Sequence, residues 1–416
     1  MAGFYGWRVV WAAFVLAFFG WGLGFYGPPV YLQAVRDARG FSLPAISLAV
    51  TLHFLMGAIV TANVPALYRR FGLPAVTKLA AAALAIGVCG WALAMTPWQL
   101  FVASLVSGAG WAAMSGVAVN AVVSPWFARA RPVALGTAYN GASVAGLVLS
   151  PLWVTAILVA GFPLAAASIG LITVLITWFL ARQYFARTPA EMGLAPDGDT
   201  PGAPAAAVTS PHAKPLPGRL LWRDFAFVTL AIGAALTLFA QIGLIAHLYS
   251  LMVPALGRQW AGIVMGIGTG FGMAGRMLVG WRMPVDADRR LVACISYAVQ
   301  ICGTIILIAA GGTHVPLLLL GVMLFGIGIG NATSLPPLIA QVEFVKDDVP
   351  RVVALVVATG QAVYAFAPAV FGLIRQFAPQ EGAVFAAAAL VQACAIGALF
   401  IGRNRRARSL AHRAAP

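Results

Sequence analysis

Two stretches decide the fold: RPVALGTAYNGASVAG at Arg131–Gly146 and RVVALVVATGQAVYAF at Arg351–Phe366. Each opens on an arginine and runs on in small and apolar residues, and the second follows the first by 220 positions. Gly108 and Gly110 return as Gly326 and Gly328 at an offset of 218. Nearly equal offsets at separate places point to an internal duplication, although Ala/Gly/Val-rich segments also yield such likeness by chance. Outward from these stretches, apolar runs of about 20 residues recur along the chain. About 20 residues of helix cross the ~30 Å hydrocarbon core of a bilayer. A backbone in lipid must satisfy its own hydrogen bonds, so runs of this length read as helices.

The whole composition agrees. Of 416 residues, 61% are hydrophobic and 9% charged, whereas soluble domains carry roughly 25% charged residues. Spans are expected over 7–31, 44–67, 74–95, 97–123, 133–158 and 162–185, and again over 224–252, 259–282, 290–311, 315–342, 350–376 and 382–402. The fold class is therefore an all-α membrane protein of twelve transmembrane helices in two six-helix, pseudo-symmetric halves. The halves are residues 1–186 and 223–403, joined by a linker at 187–222 and followed by a basic tail at 404–416. Pro, Gly and Ala without hydrophobic periodicity mark the linker as flexible.

A net charge of +15 would suggest nucleic acid in a soluble chain. Here the basic residues sit in short loops. With the N-terminus inside, 21 of them are cytoplasmic, Arg36, Arg39, Arg258 and Arg375 are outside, and Arg276 is within a span. The positive-inside rule thus puts both termini in the cytoplasm of a multi-pass inner-membrane protein. The first apolar stretch is too long for a cleaved signal and should be retained. Cys89, Cys294, Cys302 and Cys394 all fall in apolar spans, which argues against disulfides and zinc. No metal cluster, catalytic motif or Walker loop is present, so neither an enzyme, a bound cofactor nor a P-loop pump is expected.

Four segments resemble the major facilitator superfamily, and its monocarboxylate-porter-like branch in particular. They are YGWRVV at Tyr5–Val10, WFARARPVALGTAYNGASVAG at Trp126–Gly146, GFGMAGRMLVG at Gly270–Gly280 and GIGIGNATSLPPLIA at Gly326–Ala340. The resemblance implies the twelve-span carrier fold and transport of a small solute, with its carboxylate-binding arginine at Arg276. It also marks departures. The loop after the second span reads PALYRRFG, with Pro65 for the usual glycine and Arg69 for the usual aspartate, so the acidic residue of that family's gating contact is absent. Gly272 stands where the animal carriers have an aspartate, and ATGQAVYAFAP in the eleventh span has no lysine. One cation suits a monoanion better than a dianion.

A charge inside a span is costly and a functional candidate by default. Arg276 could hold a carboxylate through two parallel hydrogen bonds. It could equally snorkel, lying about six residues, or ~9 Å, from a span end. Tyr139, Asn140, Tyr26, Gln361 and Tyr364 are candidate substrate contacts, with Asn120, Gln241 and Asn331 as further cavity-lining candidates. No acidic residue lies deep in a span, so His53 and His247 are the proton-coupling candidates, each with packing as the plain alternative. Pro28–Pro29, Pro151, Pro336–Pro337 and Pro368 are expected to break or kink helices. The leading function is a secondary transporter that moves a small organic anion, a monocarboxylate, across the inner membrane by alternating access, either in symport with protons or by exchange or uniport that needs none. An exporter of amphipathic or hydrophobic compounds on the same fold is the alternative, and a non-transporting membrane scaffold a third.

Overall fold

The computed structural model describes residues 4–128, 130–198, 218–284, 287–345, 348–378 and 380–414. Among them the regular structure is helical throughout. The first elements are α1 (Tyr5–Gly24), α2 (Gly27–Arg39), α3 (Leu43–Phe71), α4 (Leu73–Leu93), α5 (Pro97–Ala112), α6 (Gly116–Val123), α7 (Arg131–Ala160) and α8 (Phe162–Leu180). Then come the short α9 (Gly218–Leu221), α10 (Phe225–Arg282), α11 (Arg289–Ala309), α12 (Val315–Glu343), α13 (Val349–Tyr364), α14 (Ala367–Phe377) and α15 (Glu381–Ala414).

Ten helical stretches among the described residues are long and apolar enough to cross a membrane. Two of them are far too long for one crossing. Val133–Phe185 has 53 residues and Phe225–Arg282 has 58, the latter roughly 87 Å as one rod. Each contains a glycine in the left-handed region, Gly161 at φ 77° and Gly257 at φ 74°. Only glycine enters that region without a Cβ penalty, so the chain turns there. Other stretches are interrupted within one passage. Pro28–Pro29 open α2 just after the end of α1, and Pro368 lies in the first turn of α14. Pro151 and Pro336–Pro337 stay inside continuous helices. The break at Ala113–Ser115, between α5 and α6, has no proline to announce it.

The chain divides into two compact units. Unit 1 comprises Met1–Val208 with Arg258–Gly266, and unit 2 comprises Thr209–Gly257 with Ile267–Pro416. In unit 1, α4 packs on α5 and α8, α3 on α5, and α1 on α7. In unit 2, α11 packs on α12 and α15. Small residues permit these approaches where no hydrophobic force draws helices together. A methyl on Gly108 would strike the His53 carbonyl of α3, and one on Gly110 the backbone of α4. Their counterparts repeat the arrangement: Gly326 abuts the Gly268 carbonyl of α10, and Gly328 abuts Gln300 of α11. Gly272 and Gly275 also press on the α12 backbone.

Part of the expected linker is folded. Thr188 and Glu191 bond reciprocally, and the turn Pro196–Gly198 follows. Asp197 accepts the Ala128 and Ala130 N–H groups at 3.0 and 3.1 Å, just before α7, from a backbone φ of 61°. Residues 199–217, the middle of that linker, lie outside the described residues, as do the side chains of the basic tail from 404 onward.

Arg290, expected among the loop cations, is only 2% exposed. Its Nε and Nη2 grip the two Glu343 oxygens at 2.7 and 2.8 Å. Nη2 also donates to the Ala226 carbonyl, and Nη1 donates to Thr229 and to the Leu399 carbonyl. One guanidinium thus joins α10, α11, α12 and α15. It belongs to a buried knot, not to a solvated loop.

Candidate functional site

In unit 1 the polar residues gather where helices stop. Because α1 ends at Gly24, its last carbonyls lack intrahelical donors, and inside a membrane water cannot replace them. Three side chains supply the donors. Trp153 Nε1 donates to the Gly22 carbonyl at 3.2 Å, Tyr31 Oη to Leu23 at 3.2 Å, and His53 Nε2 to Gly24 at 2.8 Å. The other His53 nitrogen lies 2.8 Å from Ser107 Oγ, which also receives Trp91 Nε1. Trp111 stacks on the ring. His53 is therefore a buried, fully engaged residue that closes the end of α1.

Tyr26 sits in the same interruption, buried, with its ring edge-on to Phe25. Tyr139 is half-buried, donates to the Gly116 carbonyl at 3.0 Å and receives Asn120 Nδ2, which ties α7 to the start of α6. Trp21 packs edge-on against it. Asn140, its neighbour, is exposed. Tyr139 and Asn120 are thus brought together, whereas Tyr139 and Asn140 take different environments.

In unit 2, Arg276 is half-buried on the second arm of α10. Its Nε donates to the Gly330 carbonyl at 3.1 Å, and Nη2 reaches Thr333 Oγ1 at 3.4 Å. Both acceptors are neutral, so neither cancels the charge. They hold the Nε and Nη2 edge of the guanidinium plane against α12. The close seat on Gly330 exists because Gly272 and Gly330 bring α10 and α12 together. Gln361 and Tyr364, one turn apart on α13, hydrogen-bond each other through their side chains.

His247 is completely buried on the first arm of α10. Its Nε2 bonds the Pro368 carbonyl at 3.0 Å, and its Nδ1 lies 3.3 Å from Arg375 Nη1. Arg375, expected to be a loop charge, also donates to Ser250 at 2.6 Å. Two residues expected to line a cavity are committed to the unit 2 interior. Gln241 donates to Gln300 at 3.2 Å, and Asn331 to Ser296 at 2.9 Å. Ser296, Gln300 and Thr304, with Gln392 against Thr304, form a polar seam absent from the sequence-based expectation. Their spacing of four along α11 was the signal that could have revealed it.

No group of three or more potential metal ligands occurs among the described residues, and their cysteines are free. The arrangement offers hydrogen-bonding and cationic groups inside an apolar bundle, suited to binding and releasing a solute. The fold is similar to the nucleoside transporter NupG, with a TM-score of 0.71, 13% identity, and 95% of this chain and 98% of that chain covered. It is also similar to a bacterial homologue of the human lysosomal transporter Spinster, with a TM-score of 0.67, 12% identity and coverage of 95% and 96%. No curated protein sequence matches the chain. The Major Facilitator Superfamily model matches residues 10–368, and the chain belongs to that family of membrane transporters.

Proposed function

We propose that this protein is a secondary transporter that moves a small organic anion, a monocarboxylate, across the inner membrane by alternating access. The carrying observation is Arg276, a half-buried guanidinium whose Nε rests on the neutral Gly330 carbonyl. Such a charge in a transmembrane helix marks a solute pathway by default. In this reading Arg276 pairs with the carboxylate, while Tyr139, Asn140, Tyr26, Gln361 and Tyr364 contact the rest of the solute. His53 and His247 are the proton-coupling candidates for symport. Taking Gly161 and Gly257 as the turns that divide the two over-long stretches gives twelve passages. Both termini are then cytoplasmic by the distribution of basic residues, with six-helix halves at 1–186 and 223–403.

A second reading draws on the same contact. If the Gly330 bond is the whole purpose of Arg276, the cation pins α10 to α12 in an exporter of amphipathic compounds. Uptake of labelled lactate into proteoliposomes separates the two. Arg276→Ala and Arg276→Lys are expected to reduce uptake at least tenfold while the protein remains folded. Undiminished uptake in both variants removes Arg276 from the mechanism.

A further inference from the structure

A polar stripe runs through the apolar interior of unit 2. Ser296, Gln300 and Thr304 recur at every fourth position of α11 and so share one helix face. Each rung stands ~6 Å above the last. Three other helices answer them. Asn331 of α12 donates to Ser296 at 2.9 Å, Gln241 of α10 donates to Gln300 at 3.2 Å, and Thr304 donates to Gln392 of α15 at 3.2 Å. Asn331 is 1% exposed, and Gln300, Thr304 and Gln392 are 0% exposed. Each rung nevertheless leaves one amide atom over. Asn331 Oδ1, Gln300 Nε2 and Gln392 Nε2 are buried and meet no protein partner.

Reversing the amides removes none of these surplus atoms. Gln241 Nε2 faces both Gln300 Oε1 and the Gly328 carbonyl, so a reversed Gln300 would set donor against donor. Asn331 Nδ2 faces the Ser296 hydroxyl and, at 3.4 Å, the Ile327 carbonyl. A reversed Asn331 would set acceptor against acceptor there. At Thr304 one hydroxyl hydrogen has two acceptors, the Gln300 carbonyl at 3.0 Å and Gln392 Oε1 at 3.2 Å. Reversing Gln392 ends that rivalry and leaves its Oε1 over in place of Nε2. Without a clash, then, Gln300 always presents a spare donor, Asn331 a spare acceptor, and Gln392 one or the other.

Buried amides ordinarily find partners, and lipid offers none. No charged side chain takes part in the bonds of this stripe, so an ion of either sign would lack a counter-charge. The missing partner is small, neutral, and able both to donate and to accept. We propose that the stripe is a buried water-binding site. Ordered water donates to Asn331 Oδ1, accepts from Gln300 Nε2, and joins Gln392 through whichever amide atom is presented. Two hydrogen bonds of about 2.9 Å each reach across one ~6 Å rung, so a single molecule bonds to the rung above and the rung below. Bound water of this kind makes between two and four bonds. It ties α10, α11, α12 and α15 together from inside, and it owes nothing to the identity of the solute carried.

The test is water-edited solid-state nuclear magnetic resonance of the full-length protein in sedimented nanodiscs. Glutamine and asparagine carry nitrogen-15 in their side chains, and each amide is assigned through its own backbone, so the decisive measurement needs no substitution. Exposed Gln99 serves as the surface reference. Magnetisation is expected to pass directly from water to the Gln300 and Gln392 amides. An impermeant gadolinium chelate is expected to bleach Gln99 and to spare both of them. Gln392→Met is expected to cut the transfer to Gln300 about twofold, since a water with fewer partners is held less firmly. Absence of direct transfer to Gln300 in the unaltered protein overturns the proposal, because its amide is then bonded to protein alone. Bleaching of Gln300 as complete as that of Gln99 overturns it too, by showing a stripe open to bulk solvent. Unchanged transfer in Gln392→Met overturns the bridging between rungs.

Discussion

Arg290 uses all five of its N–H donors, on Glu343, Thr229 and the Ala226 and Leu399 carbonyls. Lysine carries three donors on one atom and cannot reproduce that spread. Arg290→Met removes two guanidinium bonds from the buried Glu343 carboxylate, and a loss of about 3–5 kcal/mol is expected. Thermal unfolding in detergent measures it, and Arg290→Met combined with Glu343→Leu should recover much of the loss. Asp288 caps α11 beside this knot. Burial alone would raise its carboxyl, but the Arg403 bond and the Leu291 and Arg290 N–H groups outweigh that and hold it below the ordinary carboxylate value. A depressed folded value means a contribution present at neutral pH and lost as pH falls through that value. Acidification should thus lower the melting temperature less in Asp288→Asn than in the parent. None of this was legible from position in the chain. Arg290 directly precedes an apolar run and reads as a topology charge, and nothing beside it in sequence tells that four helices converge on it. Arg375 was misread for the same reason, since its partner His247 is 128 positions away.

At the scale of elements, the glycines decide which helices touch. A methyl on Gly330 would collide with the Gly272 carbonyl, backbone against backbone. Gly330→Ala is expected to cost about 1–3 kcal/mol and to displace Arg276 from its carbonyl seat. Gly136→Ala, where nothing lies within 4 Å of the added carbon, should be silent in the same melting experiment. The recurrence of Gly108 and Gly110 as Gly326 and Gly328 was legible, and each pair meets corresponding neighbours. The interruptions were legible only where proline marks them, at Pro28–Pro29 and Pro368. The Ala113–Ser115 break escaped because its causes are tertiary: Gly20 of α1 lies against the Met114 carbonyl, and Gly116 lies under the Tyr139 hydroxyl.

At the scale of the molecule, helical class and membrane residence followed from hydrophobic run length, since lipid leaves a long apolar backbone few options. The partition of α10 did not. Its residues Arg258–Gly266 group with unit 1, and the remainder with unit 2, because Arg258 pairs with Asp37 at 2.9 Å and Gln259 bonds Thr155. Charge counting supplies a prediction for the whole chain. In a protein whose four cysteines are replaced by alanine, Arg39→Cys and Arg70→Cys should react with an impermeant thiol reagent from opposite sides of the membrane. Labelling of both from one side would overturn the proposed orientation. The Arg290 knot also has a temporal side. Its roof, Leu399 and Gly402, lies on the final helix, so a ribosome delivers the cation more than 100 residues before the chain that covers it. Nascent protein must shelter a half-dressed guanidinium meanwhile, and products terminated before α15 should be the ones that cellular proteases remove first.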